Sequence, residues 1–334
     1  DPRRGAAADP PGLPVRRVVV AGRWDGATPL LPTGVALEQI GRGLADGTRG
    51  LDVVSLPFGS GPTFDEAVAA SRSQASFVRV PTEASSTREA GERVADALGD
   101  RMVVVEGGHG EFPDCGRGFL AGMLGVADSE VSGEGFGPAL TRAEDVLASS
   151  GTDLVCAAST PRPLLGLDSV LALRPDLDPI EEQDTTLTAA LTQAFARRPL
   201  RRRQLLGGQG VHPARVFGSG AGGGVGAVIV AIGGRIASTG EFLADQLTVD
   251  KALNDADLLV VAEPELASPL LATSTLDALT GAAAQLALPV VAVTVRSSLS
   301  HYERAQWGLH GIFETEACVT LCDVGRRIAR TWLR

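Results

Sequence analysis

Gly218-Ser219-Gly220-Ala221-Gly222-Gly223-Gly224-Val225-Gly226-Ala227 is the stretch on which the fold turns. Gly218 to Gly223 satisfies G-x-G-x-x-G, and Glu241 follows at a plausible distance. Taken alone, this describes a dinucleotide-binding turn, whose glycines let a pyrophosphate approach a helix N-terminus. A nicotinamide-dependent oxidoreductase would follow, provided the loop joins a strand to a helix. The segment before it contains His212-Pro213, which suits a central parallel strand poorly. The alternative is a glycine-rich turn that lets backbones pack closely.

Outward from this loop, Val-rich runs alternate with amphipathic stretches. Arg17–Ala21, Leu51–Leu56, Met102–Glu106, Asp153–Ala158, Asp257–Ala262 and Pro289–Val295 read as buried parallel strands. Continuously apolar strands between helical segments indicate an α/β sheet covered on both faces. Helices are expected over Gly34–Leu44, Phe64–Ser71, Ser86–Leu98, Thr185–Ala196, Val249–Asn254 and Ser274–Ala287, the last stopped by Pro289. The compositions of Asp128–Leu140 and Gly207–Gly226 predict loops or linkers.

The 334 residues fit two compact units, and 44% hydrophobic with only 4% aromatic residues implies a core of Ala, Val and Leu. A net charge of −10 argues against non-specific nucleic-acid binding, which needs a basic surface. Lys251, in Asp-Lys-Ala, is the sole lysine, so there is no P-loop, and the protein-kinase pattern is absent too. Cys115, Cys156, Cys318 and Cys322 are too scattered for a disulfide framework and lack the partners of a zinc site. Apolar runs such as Val225–Ile232 fall short of a membrane span. Asp1–Pro14 lacks the apolar core of a signal peptide and reads as a flexible tail. A cytoplasmic monomer or homodimer is the expectation.

Read in order, Gly218–Ala227, Asn254–Ala262 (NDADLLVVA) and Leu288–Val293 (LPVVAV) resemble the C-terminal half of bacterial two-domain glycerate kinases. In that family a Gly-Ala-Gly-Ala-Ala-Gly-Gly-Leu-Gly loop precedes a helix, an Asp-Ala-Asp-Leu-Val segment and a Pro-Val strand. Arg17–Leu44, Leu56–Phe64 (LPFGSGPTF), Val103–Gly118 and Cys156–Gly166 (CAASTPRPLLG) fall in the family's order through the N-terminal half. The resemblance implies a Rossmann-like parallel-sheet domain interrupted by a second α/β domain, with the active site in the cleft. The Rossmann-like domain would comprise residues 15–80 and 245–334, and the inserted domain residues 81–244. The inserted domain would be shortened, because several tens of the family's residues are missing between Ser71 and Ser86. The resemblance also implies ATP-dependent phosphorylation of D-glycerate with magnesium. Gly59, Thr63, Gly107, Gly108, Gly220, Gly222, Gly223 and Gly224 would be its ligand-binding positions.

Phosphoryl transfer depends on cations and metal-holding carboxylates, and here the resemblance breaks down. The family's loop Asp and Lys fall on Gly22 and Asp25, so a lysine has become an acid. Its next Asp and Glu fall on Phe58 and Gly61, and a further Asp falls on Ser159. Glu263 is kept, Asp114 is a further acid, and Arg23 beside Trp24 is a replacement cation or a surface stack. The expectation is a catalytically inactive or very weak family member, needing no cofactor, that binds a protein partner or a small ligand. The alternative is an active kinase rebuilt around Arg23, Asp25, Asp114 and Glu263, with ATP and Mg2+. Arg197–Arg203 would be a solvated helix end or a phosphate or acidic-partner site. No metal site is assigned, and His109, His212, His301 and His310 have no triad context.

Overall fold

A computed structural model describes residues 16–82, 84–110, 112–174, 177–180, 184–196, 211–268, 275–315 and 320–333. The tail Asp1–Pro14, the Arg197–Arg203 run and Cys318 lie outside the described residues. The chain opens with β1 (Arg17–Gly22), α1 (Thr33–Gly47), β2 (Asp52–Pro57), α2 (Pro62–Ala70), β3 (Ser76–Arg79) and α3 (Arg88–Asp96). It continues through β4 (Met102–Gly107), α4 (Arg117–Leu124), α5 (Phe136–Ser150), β5 (Asp153–Ala158), α6 (Thr185–Ala196), α7 (Val225–Ala231) and β6 (Arg235–Ser238). Next come α8 (Thr239–Gln246), α9 (Val249–Asn254), β7 (Leu258–Ala262), the short β8 (Glu265–Leu266) and α10 (Leu276–Gln285). It closes with β9 (Val290–Thr294), β10 (Arg296–Ser297), α11 (His301–Gln306), β11 (Gly311–Glu314) and α12 (Leu321–Trp332).

Two parallel sheets organise these elements. One runs β11-β9-β7-β1-β2, drawing strands from both halves of the chain. The other runs β3-β4-β5-β6 in sequence order. Side chains alternate across each strand, so each sheet has two apolar faces to cover. Val18, Val20, Val260 and Val293 face Leu37 and Ile40 of α1 and Ile328 of α12. Val19, Ala21, Val261 and Ala292 face the other way, onto Phe64 of α2, Leu243 of α8 and Leu279 of α10. That middle layer also receives Val104 and Val155 from the four-stranded sheet. The far face of the four-stranded sheet, with Val103, Val105 and Leu154, packs on α3, α4, α5 and α7. The result is five layers, helix–sheet–helix–sheet–helix.

Small residues set the closeness of the outer layers. A Cβ at Gly43 of α1 would sit 1.9 Å from the Cys322 carbonyl oxygen, so only glycine lets α1 and α12 cross there. Gly91 of α3 serves the same role against Phe119 of α4, where a Cβ would come within 2.0 Å of a carbonyl oxygen.

Two local expectations are corrected. Asp128–Leu140, read as a loop, forms two short 3-10 turns and then the first turns of α5, whose Phe136, Ala139, Leu140, Ala143 and Leu147 are buried on one face. Gly207–Gly226, where described, is likewise not all loop. Ala221–Gly224 make a 3-10 turn with left-handed Gly222 and Gly223, and Val225 starts α7, which is buried on every side. Pro213–Arg215 form another 3-10 turn ahead of the loop, so no strand enters it there. The nicotinamide reading required one. The stretch between Ser71 and Ser86 contains β3, one of the two edge strands of the four-stranded sheet.

Candidate functional site

All strands being parallel, each sheet gathers its C-terminal ends on one side, where α/β proteins place their ligands. In the five-stranded sheet the strand order reverses between β1 and β7. Gly22 and Ala262 are paired there so closely that a Cβ on Gly22 would lie 2.1 Å from the Ala262 carbonyl oxygen. The next residues on the two strands are Arg23 and Glu263. The Arg23 guanidinium donates from Nε (2.8 Å) and approaches from Nη2 (2.7 Å), both to Glu263 Oε1. Glu263 is buried, whereas a third of the Arg23 side chain remains exposed. The carboxylate holds Arg23 protonated above its ordinary range. Burial pushes Glu263 up, and Arg23 pulls it back toward the ionised form.

Asp25 joins this group through Thr63, at the start of α2, whose hydroxyl donates to Asp25 Oδ2 at 2.5 Å. Because that proton is spent, Thr63 Oγ1 accepts from Thr33 Oγ1 at 2.6 Å, and Thr33 in turn accepts from the Trp24 amide at 3.0 Å. Glu66 of α2 accepts from the amides of Thr33 (2.9 Å) and Gly34 (2.7 Å), placing a carboxylate on the N-terminus of α1. Gly59 lies against Arg23, where a Cβ would meet the Arg23 Cβ at 2.8 Å. Trp24 is fully buried, which removes the surface-stack reading of Arg23 and Trp24.

Asp114 is elsewhere. It accepts from Ser86 Oγ, the Thr87 amide and hydroxyl, and the Gly116 amide, tying the start of α3 to the loop before α4. None of these bonds reaches Arg23, Asp25 or Glu263. The glycine positions pack against backbone. The Gly222 amide donates to Gly108 O at 2.9 Å, and a Cβ on Gly107 would meet the Gly222 nitrogen at 2.8 Å. A Cβ on Gly220, Gly223 or Gly224 would meet Pro163 O, the Phe112 ring or Cys115 O respectively, each within 2.8 Å.

At the C-terminal ends of the four-stranded sheet, the structure reveals an acid that sequence reading passed over. Glu106, near the end of β4, is 2% exposed. Its Oε1 accepts from Ser159 Oγ at 2.9 Å and from the Gly61 amide at 3.4 Å. Burial pushes its pKa up to about 7, against the smaller lowering effects of those two donors and Arg79. A signal for it exists in the sequence: a carboxylate closes the otherwise apolar run MVVVE. Ser159 also lines a cleft of about 480 Å3, bounded by Thr160, Phe217, Thr239, Glu241, Asp277 and Trp307 among others.

Residues 76–330 match the model of the glycerate kinase family. The chain belongs to that family. Among solved structures, the fold is similar to that of a "putative glycerate kinase 2" from Salmonella typhimurium LT2, with a TM-score of 0.65 and 19% identity. That match covers 95% of this chain and 98% of the other. No curated protein matches the sequence. Among the described residues, no helix is long and apolar enough to cross a membrane.

For a glycerate kinase family member, the charge arrangement decides whether a magnesium–triphosphate fits. Arg23 and Glu263 neutralise each other, Asp25 is held by Thr63, and Glu66 covers a helix N-terminus that would otherwise suit phosphate. Among the described residues, no group of three His, Cys, Asp or Glu side chains could hold a metal ion. With its charges already engaged in this way, the cluster suits a magnesium–triphosphate poorly.

Proposed function

We propose that this glycerate kinase family member does not phosphorylate glycerate at an appreciable rate and instead acts by binding a small ligand. The observation that carries this reading is the Arg23–Glu263 pair. It occupies the strand-order reversal with both nitrogens on one carboxylate oxygen. A transferring phosphoryl group needs cationic charge that is free to meet it. Here the cation is already matched, and separating a buried pair by removing one partner typically costs about 3–5 kcal/mol. An open cleft at the ends of β5 and β6 favours a small ligand over a protein partner.

The test is ADP release from MgATP with D-glycerate, using an intact family member as control. Turnover at least ~100-fold below the control supports the reading, and turnover closer than that overturns it. The alternative, an active kinase with a rebuilt site, draws support from the convergence of Arg23, Asp25 and Glu263. It loses Asp114, whose carboxylate is committed to the start of α3 and the loop before α4.

A further inference from the structure

The cleft beside Ser159 has a chemistry of its own. It lies where the N-termini of α8 and α10 meet: a Cβ on Gly240 would approach the Ala278 Cβ to 2.8 Å. Helix N-termini ordinarily favour anions. Here each helix carries its own acid in the first turn, Glu241 on α8 and Asp277 on α10, and both are exposed at the cleft. Among the described lining residues there is no Arg, Lys or His. A phosphate or carboxylate entering the cleft would meet like charge, and no cationic side chain among the described lining residues offsets it.

Hydroxyl groups dominate the remaining polar surface. Ser159 gives its proton to Glu106, and Thr275 gives its proton to the Phe58 carbonyl. Ser238 accepts from the Glu241 amide and Thr160 from the Arg162 amide, which leaves each an O–H to donate. Thr239 is fully buried, lines the cleft, and its hydroxyl has no hydrogen-bond partner. That oxygen is shielded from the cleft, so Thr239 belongs to the wall and offers a ligand no hydrogen bond. Phe217 and Trp307 supply aromatic surface. Two carboxylates to accept O–H donors, hydroxyls to return them and aromatic walls make a polar but non-cationic receptor.

We propose that this cleft binds an uncharged, polyhydroxylated molecule of monosaccharide size, with Glu241 and Asp277 accepting its hydroxyls and Trp307 forming a wall. The proposal rests on the small-ligand reading above and names the class of that ligand. It separates this chain from a site built for glycerate or a nucleotide, both anionic.

The test is saturation-transfer NMR on the full chain with D-ribose and D-glucose, each paired with its phosphate, D-ribose 5-phosphate and D-glucose 6-phosphate. At least one neutral sugar is expected to bind roughly tenfold or more tightly than its phosphate, in the millimolar range or below. Asp277→Asn and Glu241→Gln, both exposed at the cleft, should each remove the sugar signal while the circular-dichroism melt stays nearly unchanged. Equal or tighter binding of the phosphates overturns the proposal, as does a sugar signal that survives both variants. So does the absence of any neutral-sugar signal at about 10 mM. The ADP-release assay answers separately: turnover of glycerate would remove the non-phosphorylating reading and leave the sugar result to stand or fall by itself.

Discussion

The C-terminal ends of the two sheets treat charge in opposite ways. At the five-stranded sheet every charged group in the cluster has a partner: Arg23 with Glu263, Asp25 with Thr63, Glu66 with two amides of α1. At the four-stranded sheet, Glu106 is as deeply buried as Glu263 but has only a hydroxyl and a distant amide. The outcome differs accordingly. A carboxylate facing a guanidinium is held as an ion pair, whereas one facing neutral donors drifts toward the protonated form. The first end is electrostatically closed, and the other is left with a proton that comes and goes near neutrality.

The largest effect should come from opening the closed end. Arg23→Met leaves Glu263 buried without a cation and is expected to destabilise the fold by about 3–5 kcal/mol in urea denaturation. Adding Glu263→Met should recover most of that loss. Additive losses would show that the pair contributes as separate groups.

The next effect concerns pH. Glu106 binds its proton more tightly in the folded chain (about 7) than an ordinary carboxyl does, so its contribution to stability is present at acid pH. That contribution is lost as pH rises from the ordinary value of 4.5 through about 7. By linkage, Glu106→Gln should leave stability at about pH 4.5 nearly unchanged and raise it at about pH 8 by about 2–3 kcal/mol. Parallel pH profiles for the two proteins would contradict this. Arg79 faces Glu106 from β3 and lowers its pKa, while Asp65 from α2 raises it, and Cys156 lies near on β5.

Smaller effects sharpen the contrast further. Thr63→Val breaks the Trp24–Thr33–Thr63–Asp25 chain and leaves the Thr33 hydroxyl without its acceptor. A loss of about 1–2 kcal/mol is expected, read as a shift in the urea midpoint at constant slope. Arg79→Gln removes a half-exposed pair with Asp65 and should cost less than about 1 kcal/mol. It should nonetheless move the Glu106 titration upward, which carboxyl carbon NMR would show. An unmoved titration would mean that Arg79 is screened from it.

How much of this was legible in the sequence depends on burial. The six strands read from the sequence correspond to β1, β2, β4, β5, β7 and β9, and all but β2 lie between two other strands. Of the strands that went unread, β8 and β10 are two residues long, and β3, β6 and β11 lie at sheet edges and carry polar residues, as in SFVR, RIAS and GIFE. α7 was hidden for the opposite reason: VGAVIVA is buried all round and has no polar face to show a helical period. At the site, Arg23, Asp25 and Glu263 could be picked out by position. The partnerships of Arg23 with Glu263 and of Glu106 with Ser159 could not, because they join residues 240 and 53 positions apart. Only the folded strand order brings them together.

That separation bears on how the chain is made. β1 lies between β2, which follows directly, and β7, which a ribosome delivers about 200 residues later, some 10–40 s at ordinary rates. The four-stranded sheet, by contrast, is complete once β6 has emerged. It can assemble while β1, β2 and α1 still wait for β7 and for the helix that Gly43 admits so closely. The nascent five-stranded half therefore spends the interval with one strand edge and one helix face uncovered, and it closes only after β7, β9 and α12 have been made.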